Sequence, residues 1–170
     1  KFELLKDKVS SFMVGFGFLE VNTSHLSNKV NLNDKMNFSM PIIPLKNALS
    51  EEFNVLRSWL TPSLMEVISN NKHNEYPQKI FEIGTVFSKE EKVILSSLIA
   101  HSKANFTEIK QVLDALLMTL ALKHEIDDVE HGSFIPGRVG RISVKGKEIA
   151  LIGEINPEVL EKWDLELPVA

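Results

Sequence analysis

Two arginines among glycines, in the run Pro136-Gly137-Arg138-Val139-Gly140-Arg141, form the strongest basic constellation in the chain. A guanidinium is a planar fork of donors that suits phosphate or carboxylate. A turn at Pro136-Gly137 would bring Arg138 and Arg141 close to glycine backbone. Such an arrangement could hold an anion; the plainer reading is an interface contact or a salt bridge within the turn. Arg57 and Trp59 stand two residues apart in a short apolar segment, and these residue types often anchor interfaces. Trp59 could equally be core.

Other chemistries find little support. The five histidines, at positions 25, 73, 101, 124 and 131, show neither HExxH spacing nor a paired Cys/His pattern. GxSxG, GxxxxGK[ST] and GxGxxG are all missing, and Gly15-Phe16-Gly17 lacks the third glycine of a phosphate-binding turn. The carboxylate pairs Glu51-Glu52, Glu90-Glu91 and Asp127-Asp128 are adjacent in polar surroundings, where successive side chains diverge and stay solvated. General acid–base work needs carboxylates that converge.

The bulk properties narrow the classes further. With 170 residues, 44% of them hydrophobic, the chain suits a single globular domain. A formal charge of −4 supplies no global field for gathering phosphates, so any RNA contact would be local. The absence of cysteine rules out disulfides and thiolate metal sites and fits the cytoplasm. No apolar run approaches the ~18–20 residues of a membrane span, and no secretory signal is evident. The chain starts at Lys1 and stops as an apolar segment begins, so it is expected to be part of a longer protein.

These residues must be positioned by a mixture of helices and strands. Phe2, Leu5, Val9, Phe12, Met13 and Phe16 recur at steps of three and four, which predicts a helix ended by Gly15 and Gly17. Residues 18–26 alternate as a strand. The asparagine-rich run 28–37 is predicted as loop, and 38–45, with Pro41 and Pro44, as an edge segment. A short helical turn is expected from Leu49 through Phe53 and Leu56. Thr61-Pro62 reads as N-cap and first residue of a helix to about residue 71.

Residues 79–88 and 93–100 predict a hairpin. Asn105 and Glu108 resemble a capping box opening a helix through Leu120. Residues 126–136 alternate weakly, 139–145 and 148–155 flank a Lys145-Gly146-Lys147 turn, and Asn156-Pro157 opens a last short helix. This order, without a βαβ rhythm, predicts an α+β domain with an antiparallel sheet flanked by helices.

Three segments in one order resemble the beta subunit of phenylalanyl-tRNA synthetase: NALSEEFNVLRSWLTPSLMEVISNN at 47–71, KIFEIGTVF at 79–87, and FIPGRVGRI with GEINPEVLEKWDL at 134–142 and 153–165. The short loops and YPQKIFEIGTVF are closer to archaeal or eukaryotic cytosolic subunits than to bacterial ones. The resemblance implies a class II aminoacyl-tRNA synthetase-like fold over residues 1–170, mirroring the catalytic module of the alpha subunit. In catalytic members, the strand matching 79–87 carries an arginine after a phenylalanine, which steadies the α-phosphate of ATP. Here Phe81 is followed by Glu82. A second arginine opens the last helix and grips the terminal phosphates; its equivalent here is Glu158. Carboxylates at both places would repel a ligand of roughly four negative charges.

The resemblance therefore implies a domain with no catalytic residue, cofactor or metal of its own, serving a holoenzyme that uses ATP and magnesium. Its expected partners are the alpha subunit, the rest of the beta subunit and, in the holoenzyme, tRNA, with no membrane. Phe53, Leu56, Arg57, Trp59 and Leu60 are the candidates for the alpha interface, and Arg138 and Arg141 for an interface or tRNA phosphate contact. The alternatives are an independent adenylate-forming or amide-forming synthetase and a free-standing RNA-binding module.

Overall fold

The computed structural model describes residues 2–48 and 50–170. The first apolar stripe forms helix α1 (Phe2–Gly15). It closes on Gly17, whose N–H donates to Val14 O while that of Phe18 donates to Met13 O. Gly17 has φ +84°, a left-handed turn that glycine adopts without a Cβ penalty.

Beyond α1 the continuous strand expected over 18–26 is broken. Only β1 (Leu19–Glu20) and β2 (Leu26–Ser27) are paired, and they join different sheets. The loop expected over 28–37 contains a π turn, Val30–Asp34, in which Lys35 N–H donates to Val30 O at 2.8 Å. Its asparagines supply local bonds to backbone: Asn28 Oδ1 accepts from Asn31 N–H, and the Asn33 amide bonds Met40 through both N–H and O. β3 (Ile43–Pro44) is an edge strand on β4 (Val55–Leu56), which also pairs with β2.

The helical turn expected from Leu49 to Leu56 is replaced by a turn at 51–53 and by β4; Leu49 itself lies outside the described residues. Helix α2 (Thr61–Asn70) follows, with Thr61 inside the helix rather than capping it. The Thr61 hydroxyl lies 3.3 Å from Ser96 Oγ, so it serves the neighbouring sheet instead.

The hairpin is as its turn chemistry predicts. β5 (Gln78–Phe87) and β6 (Glu91–Ala100) pair antiparallel in unbroken register from Gln78↔Ala100 to Phe87↔Glu91. β1 joins β5 in parallel, a departure from a purely antiparallel arrangement. Asn105 Oδ1 accepts from Glu108 N–H at 3.1 Å to open α3 (Phe106–Thr119). The third sheet is β7 (Glu125–Asp128), β8 (Phe134–Val144) and β9 (Lys147–Ile155). Its β8–β9 turn places Lys145 and Gly146 at φ +52° and +73°, the primed geometry that matches strand twist. Asn156 Oδ1 then accepts from Glu158 N–H to open α4 (Pro157–Lys162).

A short segment near the C-terminus stitches the two larger sheets together. Ile99 and Ala170 exchange backbone hydrogen bonds of 2.8 and 3.0 Å, and Ile155 N–H donates to Val169 O at 2.8 Å. Side-chain alternation along β5 then separates two cores. Ile80, with Leu98, faces Leu64, Met65 and Ile68 of α2 and Val159 and Leu160 of α4. Phe81, with Ile99, faces Met13 of α1 and Ile109, Val112 and Leu117 of α3. The result is a mixed α+β domain of small, largely antiparallel sheets covered by helices.

Candidate functional site

Glu82 lies mid-way along β5, one residue after Phe81, so alternation turns it away from the α1–α3 core. It is 2% exposed, and Arg57 beside it is 0% exposed. Buried charges persist only when paired and hydrogen-bonded, and here Arg57 Nη1 lies 2.8 Å from Glu82 Oε1. Thr23 completes the contact: its hydroxyl donates to Glu82 Oε2 at 2.6 Å and accepts from Arg57 Nη1 at 2.8 Å. Arg57 Nε donates to Thr85 O at 2.8 Å, and Nη1 also reaches Thr23 O at 3.3 Å. One side chain thus fastens the segment after β4 to β5 and to the chain between β1 and β2.

The pair lies close over Gly84. A Cβ there would sit 2.5 Å from Arg57 Nη2 and 2.6 Å from Glu82 Oε1, so either side chain would have to shift to admit one. Arg57 Nη2 itself has no hydrogen-bond partner, and Glu82 Oε1, although within ion-pair distance, receives no well-aligned donor.

A phosphate approaching Glu82 would meet a carboxylate, and the adjacent cation is buried and already engaged. Glu158, the second position of interest, is exposed in the first turn of α4 and lies 3.4 Å from Lys162 Nζ. Among the described residues no three His, Cys, Asp or Glu side chains converge as a metal site.

The interface candidates separate by exposure. Phe53 is 46% exposed, and Leu56 and Trp59 are half-buried. Trp59 packs on the α2–α4 core and donates from Nε1 to Leu32 O at 3.1 Å. Arg57 and Leu60 are both 0% exposed and have no surface to offer, which corrects their assignment: the ion pair with Glu82 draws Arg57 inward, and Leu60 is buried where it leads into α2.

Arg138 and Arg141 do not converge either. Their segment is a strand, β8, irregular between Phe134 and Val139, with Gly137 at φ +76°. Arg138 pairs with Glu154 at 2.7 Å and Arg141 with Glu148 at 3.3 Å. Those carboxylates are six residues apart on β9, about 20 Å along an extended strand.

Two features escaped sequence reading. Glu154, 8% exposed, accepts from Phe106 N–H at 2.8 Å as well as from Arg138, placing a carboxylate at the positive end of α3. Its partner is 48 positions away, so no local signal marks it. The other is the outer surface of α1: Met13 is its one buried residue, while Phe2, Leu5 and Phe16 of the predicted stripe stay 54%, 47% and 43% exposed. The stripe was visible in the sequence; its lack of cover was not.

His101, His124 and His131 make structural contacts. His101 Nε2 lies 2.6 Å from Glu108 Oε2, and Lys79 Nζ lies 3.1 Å from Oε1. Burial pushes the Glu108 carboxyl up, but the hydrogen bonds and charges of His101 and Lys79 outweigh it and hold its pKa below the ordinary value. His131 stacks on Phe38 at 3.8 Å, and burial lowers its pKa. His124 Nε2 sits 3.0 Å from Asp114 Oδ1. Among the described residues no helix is long and apolar enough to cross a membrane.

The architecture has a counterpart among solved structures. It superposes on the pyrrolysyl tRNA synthetase PylSc of Desulfitobacterium hafniense with a TM-score of 0.80 over 99% of this chain and 63% of that one, at 21% identity. Sequence comparison is more specific. Residues 1–170 match the family model described as the phenylalanyl tRNA synthetase beta chain CLM domain, and the chain belongs to that family. The phenylalanine–tRNA ligase beta subunit of Pyrococcus abyssi is 46% identical over 99% of this chain, and that of Archaeoglobus fulgidus 36% identical over 98%. The chain covers 32% and 31% of those two proteins, about a third of their length.

Proposed function

We propose that residues 1–170 form the non-catalytic, class II synthetase-like domain of a phenylalanine–tRNA ligase beta subunit. Its work is to assemble with the catalytic alpha subunit, in a cytoplasmic holoenzyme that uses ATP and magnesium to attach phenylalanine to its tRNA. The observation that carries this reading is Glu82. Where catalytic relatives hold a phosphate-binding arginine, this strand holds a carboxylate closed into a buried pair with Arg57 at 2.8 Å. A carboxylate already neutralised by its own buried cation leaves a triphosphate no free positive charge to bind.

Assembly is supported by the uncovered apolar side of α1. Phe2 and Leu5 lie on the same stripe as the buried Met13 yet remain about half exposed, and an apolar patch of this kind marks a contact surface. Phe53, Leu56 and Trp59 remain a secondary candidate surface. Arg138 and Arg141, each paired across the sheet, would reach an alpha subunit or a tRNA phosphate only by their exposed edges.

The test is co-sedimentation of the chain with a catalytic alpha subunit, with ATP–pyrophosphate exchange measured on each alone. Stable association, exchange confined to alpha, and loss of association in a Phe2→Glu/Leu5→Glu variant that keeps its circular dichroism are expected. Exchange by this chain alone, or no association at all, would refute the proposal.

A further inference from the structure

We propose that Arg57, the Thr23 hydroxyl and the space over Gly84 constitute a small-anion site whose resident ligand is the chain's own Glu82 carboxylate. The guanidinium offers more than Glu82 uses. Arg57 is 0% exposed, yet its Nη2 has no partner, and a buried donor left unmade is costly. Nη2 and Glu82 Oε1 both face one point over the Gly84 backbone, 2.5 and 2.6 Å from where a Cβ would stand. The Thr23 hydroxyl closes another side, 2.6 Å from Glu82 Oε2 and 2.8 Å from Arg57 Nη1.

The geometry defines the ligand class. Glu82→Ala removes one methylene and the carboxylate while keeping the cation, the hydroxyl and the walls. Acetate has the same atoms as the removed group, and formate has its charged part; both are planar and can accept from Nη1 and Nη2 together, as a guanidinium favours. Phosphate is tetrahedral and bulkier than the vacated space. The vacated cation therefore takes a monocarboxylate of one or two carbons.

This inference reads out on the folded state of the chain alone, so its failure leaves the assembly proposal standing, and the reverse. The experiment is urea unfolding of Glu82→Ala, followed by circular dichroism, in sodium acetate or formate against sodium chloride at equal ionic strength and neutral pH. A ligand at about ten times its Kd multiplies the folding constant about elevenfold, and a rise of that order in acetate is expected. The native chain and Glu82→Gln, whose side chains fill the space, should show no acetate preference over chloride. Arg57→Met/Glu82→Ala, which lacks the cation, should also be indifferent. If Glu82→Ala is unfolded in chloride, recovery of its helical signal in acetate is the same readout. Equal behaviour in acetate and chloride, or an equal acetate response in the double variant, would overturn the proposal.

Discussion

Arg57 and Glu82 allow the energetics of the closed site to be measured by a double-mutant cycle. Arg57→Met leaves a carboxylate 2% exposed without its cation, and Glu82→Leu leaves a guanidinium 0% exposed without its anion. Removing one partner of a buried pair typically costs about 3–5 kcal/mol. With ~2–4 °C per kcal/mol for a domain of this size, each single variant should melt roughly 6–20 °C lower. The double variant contains no buried charge. It still leaves the Thr85 carbonyl and the Thr23 hydroxyl without the bonds of 2.8 Å that they make to Arg57. That residual penalty is about 1–3 kcal/mol, so the double variant should be no less stable than either single one. Urea unfolding by circular dichroism reads all four corners. Single substitutions within about 0.5 kcal/mol of the native chain, or a double variant whose loss equals the sum of the singles, would refute the claim that each charge is held by the other.

Two further outcomes follow from the geometry. Ala121 sits at φ +56° just past α3, in the left-handed region where a Cβ is strained, so Ala121→Gly should raise stability by about 1 kcal/mol in the same urea assay. Glu108 has a lowered pKa, so its pairing with His101 and Lys79 stabilises the fold above the ordinary carboxylate value and is lost as pH falls through the lower folded value. Glu108→Gln should therefore be less stable than the native chain at neutral pH, by less than about 1 kcal/mol for so accessible a cluster. The gap should close in acid; a gap independent of pH would remove the electrostatic explanation.

Three helices show what the sequence could and could not reveal. α1, α3 and α4 end in the same way, with the residue two past the last helical one bonding back three positions and the next one bonding back five. Those left-handed residues are Gly17, Ala121 and Asp164. Glycine announces the turn; alanine does not, and aspartate does so only weakly, so the ends of α3 and α4 carry no clear local signal. The same contrast governs the strands. The β5–β6 and β8–β9 hairpins were legible because their turns are local, whereas β1, β2 and β4 depend on partners dozens of residues away and were misread as a longer strand and a helical turn. At the site, Glu82 and Glu158 could be singled out only by resemblance to catalytic relatives. The Arg57–Glu82 pair was hidden, since nothing local links positions 57 and 82.

That pair also explains how a carboxylate can stand in the middle of a buried strand. Glu82 alone would be a desolvated charge, at a cost of several kcal/mol. Arg57 removes that cost from a different segment, and Gly84 leaves the guanidinium room to lie against the strand. Because the same guanidinium bonds Thr85 and Thr23, the charge that cancels Glu82 also fixes the segment leading from β4 into α2 against the sheet. Glu82→Arg would therefore set two guanidinium groups against each other at two buried positions, and Arg57 could leave only by giving up the bonds to Thr85 and Thr23 that hold the segment after β4 in place.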